Sequence, residues 1–451
     1  MDYAQALEYM ASLRPRGVSL GLARIRALCG LVGNPQKKLK FIHIAGTNGK
    51  GSTAAMIANV LREAGYKTGL FTSPAVLDGR EPLQVNGEMI GRAAFARLAT
   101  EIEPSIDLLA GRNMYVTEFE ALTAMALLHF ARSGCDLVVL EVGLGGREDA
   151  TNVIDDSLVS VILSIALDHM AFLGNTVQKI AHEKCGIIRP GGVTVTYPEQ
   201  GDAMPVIEEA VRLNRSMFIV PSLDRLEITR SGIEGSAFRY GDVNFTLRLI
   251  GEHMVKNAAV AIEVLKALRA MGYAIDDSAL TRGIYNTTLP ARMELCSESP
   301  LLLIDGGHNE GCALALRAVL QTCLPGKKVV AVCAMMSDKD YIAYLRILAP
   351  RISFLIATGL PMERALPARA LCDAATEYRI GAQCVEDCEE AVTRARAMAA
   401  PEGVTLVCGS FFLAKAIRKY TTIRRPLSRC TAFLRACFPA ASTTSTAWYT
   451  K

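Results

Sequence analysis

Tryptophan occurs once in these 451 residues, and charged side chains make up only 21% of them. No uninterrupted apolar run reaches the roughly 18 residues that a membrane helix needs. The opening stretch, Met1 to Met10, carries Asp2 and Glu8 and lacks a basic-then-apolar leader pattern. The expectation is a soluble, cytoplasmic chain with no membrane partner. The 13 cysteines contain no CxxC pair, and Cys384 and Cys388, four apart, have no second pair to complete a zinc site. They read as reduced, mostly buried thiols. Acid is missing from one place: residues 421–451 hold Arg424, Arg425, Arg429, Arg435 and Lys451 but no Asp or Glu. Without those five, 44 basic residues face 45 acidic ones, a net of −1. A neutral body with 6% aromatics argues against nucleic-acid binding. The tail itself reads as a poorly ordered end.

What is present is apolar and rich in glycine: 51% hydrophobic residues and 36 glycines. Short apolar runs alternate with helical periodicity, the pattern of an α/β protein with a mainly parallel sheet. Strands are expected at 41–45, 67–71, 136–142, 158–167 and 193–197. Helices are expected over 117–132 and 177–184, and over a stretch that begins after a glycine loop and ends at Gly65. Between 225 and 250 the alternation predicts an antiparallel meander on a sheet edge, followed by helices at 257–271 and 277–286. A second, smaller α/β unit is expected from about 290, with strands at 301–304, 329–333, 352–357 and 404–408. The division is therefore 1–289, 290–420 and a tail at 421–451.

Three segments carry chemistry. Gly46-Thr47-Asn48-Gly49-Lys50-Gly51-Ser52 lies between a strand and a helix. Its glycines let backbone amides turn toward phosphate oxygens, and Lys50 and the hydroxyl of Ser52 or Thr53 can serve phosphate and magnesium. The strict phosphate-loop spacing is not matched, because the first gap is two residues and Gly51 follows Lys50. Glu141-Val-Gly-Leu-Gly-Gly-Arg-Glu-Asp-Ala-Thr-Asn152 begins at a strand end, where parallel sheets place ligands. Glu141 ends an apolar run, so it is either a magnesium ligand or a structural carboxylate paired with Arg147. Asp168-His169 closes another strand and offers His169 to the same metal. Lys184, at a helix end, reads by itself as a cation facing the helix dipole. His308 and Asn309 are secondary candidates.

In order along the chain, these segments resemble the folylpolyglutamate synthase and dihydrofolate synthase family, a branch of the Mur ligase superfamily. The matching stretches are Gly46–Thr53, Thr72-Ser73-Pro74, Thr117–Glu120, Glu141–Val153, Leu167–His169 and His182–Ile187. They continue with Gly251–Asn257, Asp305–Asn309, Ser337–Asp340 and Gly409-Ser410. The resemblance implies a phosphate-loop N-terminal domain joined to a Rossmann-like C-terminal domain. It implies an ATP-dependent ligase that joins L-glutamate to dihydropteroate, to reduced folates or to both, through an acyl phosphate. Gly49, Lys50, Gly51, Ser52, Asn257, Arg292 and Asp305 would contact ATP. Ser73, Glu141, His169 and a carbamylated Lys184 would hold two magnesium ions, with Lys50, Glu141, His169 and Lys184 carrying the catalysis. Leu20, Gly21, Leu22, Thr117, Glu118, Phe119, Glu120, Glu148, Asp149 and Ala150 would hold the pterin. The family is generally monomeric. Departures from its pattern are Cys185 and Gly307 for alanine, Ala291 for glycine and Glu148 for leucine. The alternative is a superfamily ligase that acts on a non-folate carboxylate.

Overall fold

The computed structural model describes residues 1–420; the basic 421–451 segment lies outside them. The first sheet has eight strands: β1 Phe41–Ala45, β2 Thr68–Phe71, β3 Gln84–Val85, β4 Glu88–Met89, β5 Leu137–Glu141, β6 Val159–Ile162, β7 Val193–Thr196 and β8 Met217–Ile219. Their order is β4-β3-β2-β5-β1-β6-β7-β8. From β2 to β8 all pairs are parallel, and β3 and β4 form an antiparallel hairpin on the edge. Every residue of β1 and β5 is buried, as expected of strands covered on both faces. Helices Lys50–Glu63 and Glu252–Ala270 share one core with Ile42, Ile44 and Val139. Helices Arg92–Ala110 and Glu118–Ser133 share another with Phe41, Val138 and Leu140.

Local chemistry sets several boundaries. Thr117 caps Glu118–Ser133, accepting the Glu120 N–H while the Glu120 carboxylate accepts the Thr117 N–H. Such a capping box is worth about 1 kcal/mol. The apolar run expected to be strand through residue 167 stops at Ile162, whose carbonyl accepts the Tyr197 N–H, while the next carbonyl, of Leu163, is taken by the Gln200 amide at 3.0 Å. The chain is then free to turn toward the site.

The meander is present as β9 Leu226–Gly232, β10 Gly235–Tyr240 and β11 Val243–Leu247, but it does not extend a sheet edge. It forms its own three-stranded sheet. Phe238, Tyr240, Phe245 and Leu247 bury themselves in the core shared with helix Glu252–Ala270, so side-chain packing rather than edge pairing positions it. That helix also starts five residues earlier than expected, straight after Gly251.

The third sheet has six strands: β12 Glu294–Glu298, β13 Leu301–Ile304, β14 Val329–Cys333, β15 Phe354–Ala357, β16 Gly381–Cys384 and β17 Val404–Cys408. The order is β12-β13-β17-β14-β15-β16, with only β12 antiparallel. Among the described residues no helix is long and apolar enough to cross a membrane, and the cysteines are free thiols.

Candidate active site between the two parallel sheets

The ends of β1, β5 and β6 converge. After β1 the chain enters the glycine loop, where Gly46 has φ 153 and Gly49 φ 85, backbone conformations that favour glycine. A Cβ on Gly49 would also lie 2.7 Å from the Asn257 amide oxygen. That asparagine donates to Ser52 Oγ at 3.1 Å, so helix Glu252–Ala270 clamps the loop from behind. Lys50 folds back on its own loop, donating to the carbonyls of Gly46 (3.0 Å) and Thr47 (3.3 Å).

Glu141 ends β5 fully buried and opens onto Gly51. Its carboxylate receives the Ser73 N–H at 3.1 Å. Burial pushes the Glu141 carboxyl up, while Lys50, the Ser73 N–H and Arg292 oppose that rise. The alternative pairing with Arg147 is not made: that guanidinium turns to Glu183 (3.9 Å) and His182 (3.3 Å). A buried carboxylate with no ion pair among the described residues, facing a phosphate-type loop, fits a divalent cation. Ser73, Glu141, His169 and Lys184 are the residues that would hold one. Among the described residues there is no cluster of three or more His, Cys, Asp and Glu side chains, so such a site would depend on the serine and the lysine as well.

Lys184 is the last residue of helix Val177–Lys184, yet its nitrogen does not cap that helix. It reaches across to donate to the Gly46 carbonyl at 2.9 Å, buried to 4% exposure. Burial first, then neighbouring Lys50, pulls its pKa down to about 7. His169, at φ 51, faces outward more than the other three; burial lowers its pKa to about 4 against the pull of Asp168.

The unit built on the six-stranded sheet closes the site. Arg292 lays its guanidinium 4.6 Å over the Phe411 ring. Both line a cleft of about 380 Å³ that also takes in Gly51, Ser73 and Glu141. Asp305 receives the N–H groups of Met293 (3.0 Å) and Gly307 (2.8 Å), which fixes the chain on either side of Arg292 and His308. His308 Nδ1 lies 3.1 Å from the Gly306 carbonyl. Ala291, where the family pattern has glycine, adopts φ 53.

Four contacts cross between the sheets that the sequence segments alone did not assign. Lys339 Nζ lies 3.1 Å from Asp168, and Asn309 donates to Asp168 at 2.9 Å and to Asn48 at 3.0 Å. Cys312 Sγ donates to Asn48 at 3.3 Å. Burial raises the Asp168 carboxyl, but His169 and Lys339 outweigh it and hold the group well below the usual range. Asn48, Asp168 and Lys339 all lie in matched motifs; which partner each one meets depends on tertiary structure.

The expected pterin-side residues gather on the far side of β5. The Gly21 N–H donates to the Glu148 carbonyl at 3.1 Å, the Phe119 ring lies tilted against Phe71 at a centroid distance of 5.8 Å, and Gly143 lies against Phe119. Several of these side chains are already engaged. Glu120 pairs with Arg24 at 3.0 Å, Glu118 with Arg14 at 3.0 Å, and the Asp149 carboxylate is spent inside its own loop. Ala150 is buried in the core beside Val153, which leaves the partly exposed Leu20 and Leu22 and the exposed Glu148 side chain to face a ligand.

A glycine loop on a parallel sheet, sealed by a second α/β unit that brings an arginine and an aspartate to its rim, defines a Mur-type ligase. Residues 44–265 match the Mur ligase middle domain and residues 291–411 the Mur ligase glutamate ligase domain. The chain belongs to the dihydrofolate synthase/folylpolyglutamate synthase family. It is 34% identical over 432 residues to the dihydrofolate synthase/folylpolyglutamate synthase of Bacillus subtilis, covering 92% of this chain and 98% of that one. The Mycobacterium tuberculosis protein of the same name is 35% identical, covering 82% and 80%. Among solved structures, E. coli FolC in complex with DHPP and ADP has a TM-score of 0.82 at 30% identity, covering 94% of this chain and 99% of that one. Mycobacterium tuberculosis folylpolyglutamate synthase complexed with ADP and AMPPCP gives 0.85 at 31%, covering 93% and 99%.

Proposed function

We propose that this chain is an ATP-dependent ligase that joins L-glutamate to the free carboxylate of dihydropteroate, of reduced folates, or of both. Residues 1–289 form the ATP- and folate-binding unit in this reading and 290–420 the unit that brings glutamate. In this reading the chain works in the cytoplasm as a monomer, and the free thiols among the described residues fit a reducing compartment.

A carboxylate is a poor electrophile. One of its oxygens attacks the γ-phosphorus, the bond to the β-phosphate oxygen breaks, and ADP leaves. The amine of glutamate then attacks the acyl carbon, gives up a proton, and expels phosphate as the amide forms. Both early partners are anions, so repulsion between them dominates the first barrier. Lys50 supplies one positive charge, and Arg292 brings a second from beyond the linker. Magnesium bound at Ser73, Glu141, His169 and Lys184 would supply the rest by charge neutralisation.

The placement of Lys184 carries the reading. A buried amine that shares the Gly46 carbonyl with Lys50, and has no carboxylate partner among the described residues, is poorly used as a cation. Carbon dioxide adds to a neutral amine, and the carbamate so formed is an anionic ligand suited to a metal beside Glu141. The experiment is oxygen tracing: dihydropteroate labelled with ¹⁸O in its carboxylate should deliver one labelled oxygen to the released phosphate. Unlabelled phosphate alongside amide product would refute the acyl phosphate.

A further inference from the structure

His43 occupies the middle of β1 and is wholly buried. Its neighbours Ile42 and Ile44 point into the core under helix Lys50–Glu63. Phe41 and Ala45, on its own face, belong to two other clusters, one containing Ala150 and Val153 and the other Val142. His43 therefore fills the seam between those clusters, beneath the loop that links β5 to the pterin-side residues. An apolar side chain would meet the packing demand of that seam with no polar atoms to satisfy. An imidazole there needs another reason.

Its hydrogen bonds provide one. Nε2 lies 2.9 Å from Thr151 Oγ1. The Thr151 hydroxyl donates to Asp149 Oδ1 at 2.6 Å, and the same carboxylate receives the N–H groups of Thr151 (2.9 Å) and Leu144 (2.8 Å). A hydroxyl carries one proton. Thr151 gives its own to Asp149, so from His43 it can only accept, and the imidazole must be protonated on Nε2. Nδ1 is left buried without a hydrogen-bond partner among the described residues.

We propose that His43 is a positioning residue for the pteroyl substrate: its Nε2–H, acting through Thr151 and Asp149, holds loop 143–150 in register with the glycine loop at the end of the same strand. The inference rests on the folate reading above. Asp149 is consumed in shaping the loop, which then passes its position to Gly21 through the Glu148 carbonyl. Metal-side Glu141 and nucleotide-side Gly46 are thus tied to the substrate wall by one side chain on β1. Burial first, and then the charge of Arg189, which donates to Asn152 at 2.6 Å and to the Ile154 carbonyl at 3.0 Å, oppose protonation of the ring. The neutral donor therefore persists through the working pH range.

The test compares His43→Phe and His43→Gln with the parent enzyme, varying dihydropteroate and ATP separately. Phenylalanine fills the seam without the donor; glutamine restores an N–H close to the Nε2 position. The phenylalanine variant should raise the dihydropteroate KM roughly tenfold and leave the ATP KM within about twofold. Glutamine should recover most of the loss. Equal changes in both KM values, or a phenylalanine variant that behaves as the parent, would overturn the proposal. Thr151→Val cuts the same chain at its middle and answers the question if His43→Phe does not fold. Two-bond ¹H–¹⁵N spectra of the imidazole, read on the folded parent enzyme, should show the Nε2–H tautomer for His43. The Nδ1–H tautomer would overturn the chain irrespective of activity. Where dihydropteroate is not an acceptor the same comparison is made with tetrahydrofolate, and a parent enzyme silent with both would instead remove the substrate reading itself.

Discussion

Lys50 and Lys184 share one acceptor: both ammonium groups donate to the Gly46 carbonyl, at 3.0 and 2.9 Å. Two cations on one neutral oxygen, one of them fully buried, repel each other in a low-dielectric site. Converting Lys184 to a carbamate turns that repulsion into attraction. Lys184→Met should fold, because it removes a buried charge, yet lose at least about a hundredfold in kcat through the missing anionic ligand. ¹³C-labelled bicarbonate should give a carbamate resonance in the parent enzyme that the variant lacks. An active Lys184→Met enzyme would rule out a chemical role for this lysine.

Asp305 is a tether as well as a candidate nucleotide contact. Its carboxylate holds Met293 and Gly307, one on each side of the strand pair that carries Arg292 to the cleft. Asp305→Ala should weaken ATP binding roughly tenfold and cost about 1–3 kcal/mol of stability from the unpaired N–H groups. Titration calorimetry and chemical denaturation measure the two effects separately.

The Asp168–Lys339 pair joins the two sheets with both side chains nearly buried. Lys339→Met leaves the Asp168 carboxylate without this partner, Asp168→Asn leaves Lys339 only the longer contact to Asp338 at 3.6 Å, and the double variant removes both charges. A double-mutant cycle on unfolding should therefore give a coupling energy of roughly 1–3 kcal/mol. Additive effects would mean the pair does not hold the closed arrangement.

The buried imidazole of His43 sets a pH dependence of stability. Unfolded, it protonates near 6.5; folded, burial and Arg189 lower its pKa to about 3. Between those values the unfolded chain binds more protons, so stability rises with pH and is lost on acidification. His43→Phe should flatten that limb by up to one proton, about 1.4 kcal/mol per pH unit. Denaturation midpoints from pH 4 to 7 measure the slope.

Glu148 presents an exposed carboxylate where the family pattern has leucine, on the loop that meets Gly21. Glu148→Leu should lower the KM for dihydropteroate, an anion, by roughly two- to fivefold at low salt, an effect that fades as salt screens the charge. Kinetics at two ionic strengths tests the sign.

The buried parallel strands were legible because their all-apolar runs, such as Leu137–Leu140, leave few alternatives; the short, half-exposed edge strand β8, Met217–Ile219, was missed. β16, Gly381-Ala-Gln-Cys384, was missed too: an exposed edge strand pairs by backbone and carries no side-chain pattern. β3 and β4, two residues each, fall below any periodicity. The meander was read correctly as antiparallel but misplaced, since what holds it is Phe238 and Phe245 packing on a helix that follows later. In the site, Lys50 and Glu141 declared themselves by type and position. Asp168, Lys339 and Asn48 did not, because their meaning lies in contacts across more than a hundred residues.

The central claim is glutamate ligation to a pteroyl carboxylate, and ADP formation by the purified protein with magnesium and L-glutamate tests it most directly. ADP release should require both L-glutamate and a pteroyl acceptor, with dihydropteroate and tetrahydrofolate compared side by side to show which acceptors are used. ADP release with neither acceptor, but with another carboxylate substrate from a panel that includes peptidoglycan precursors, would contradict it.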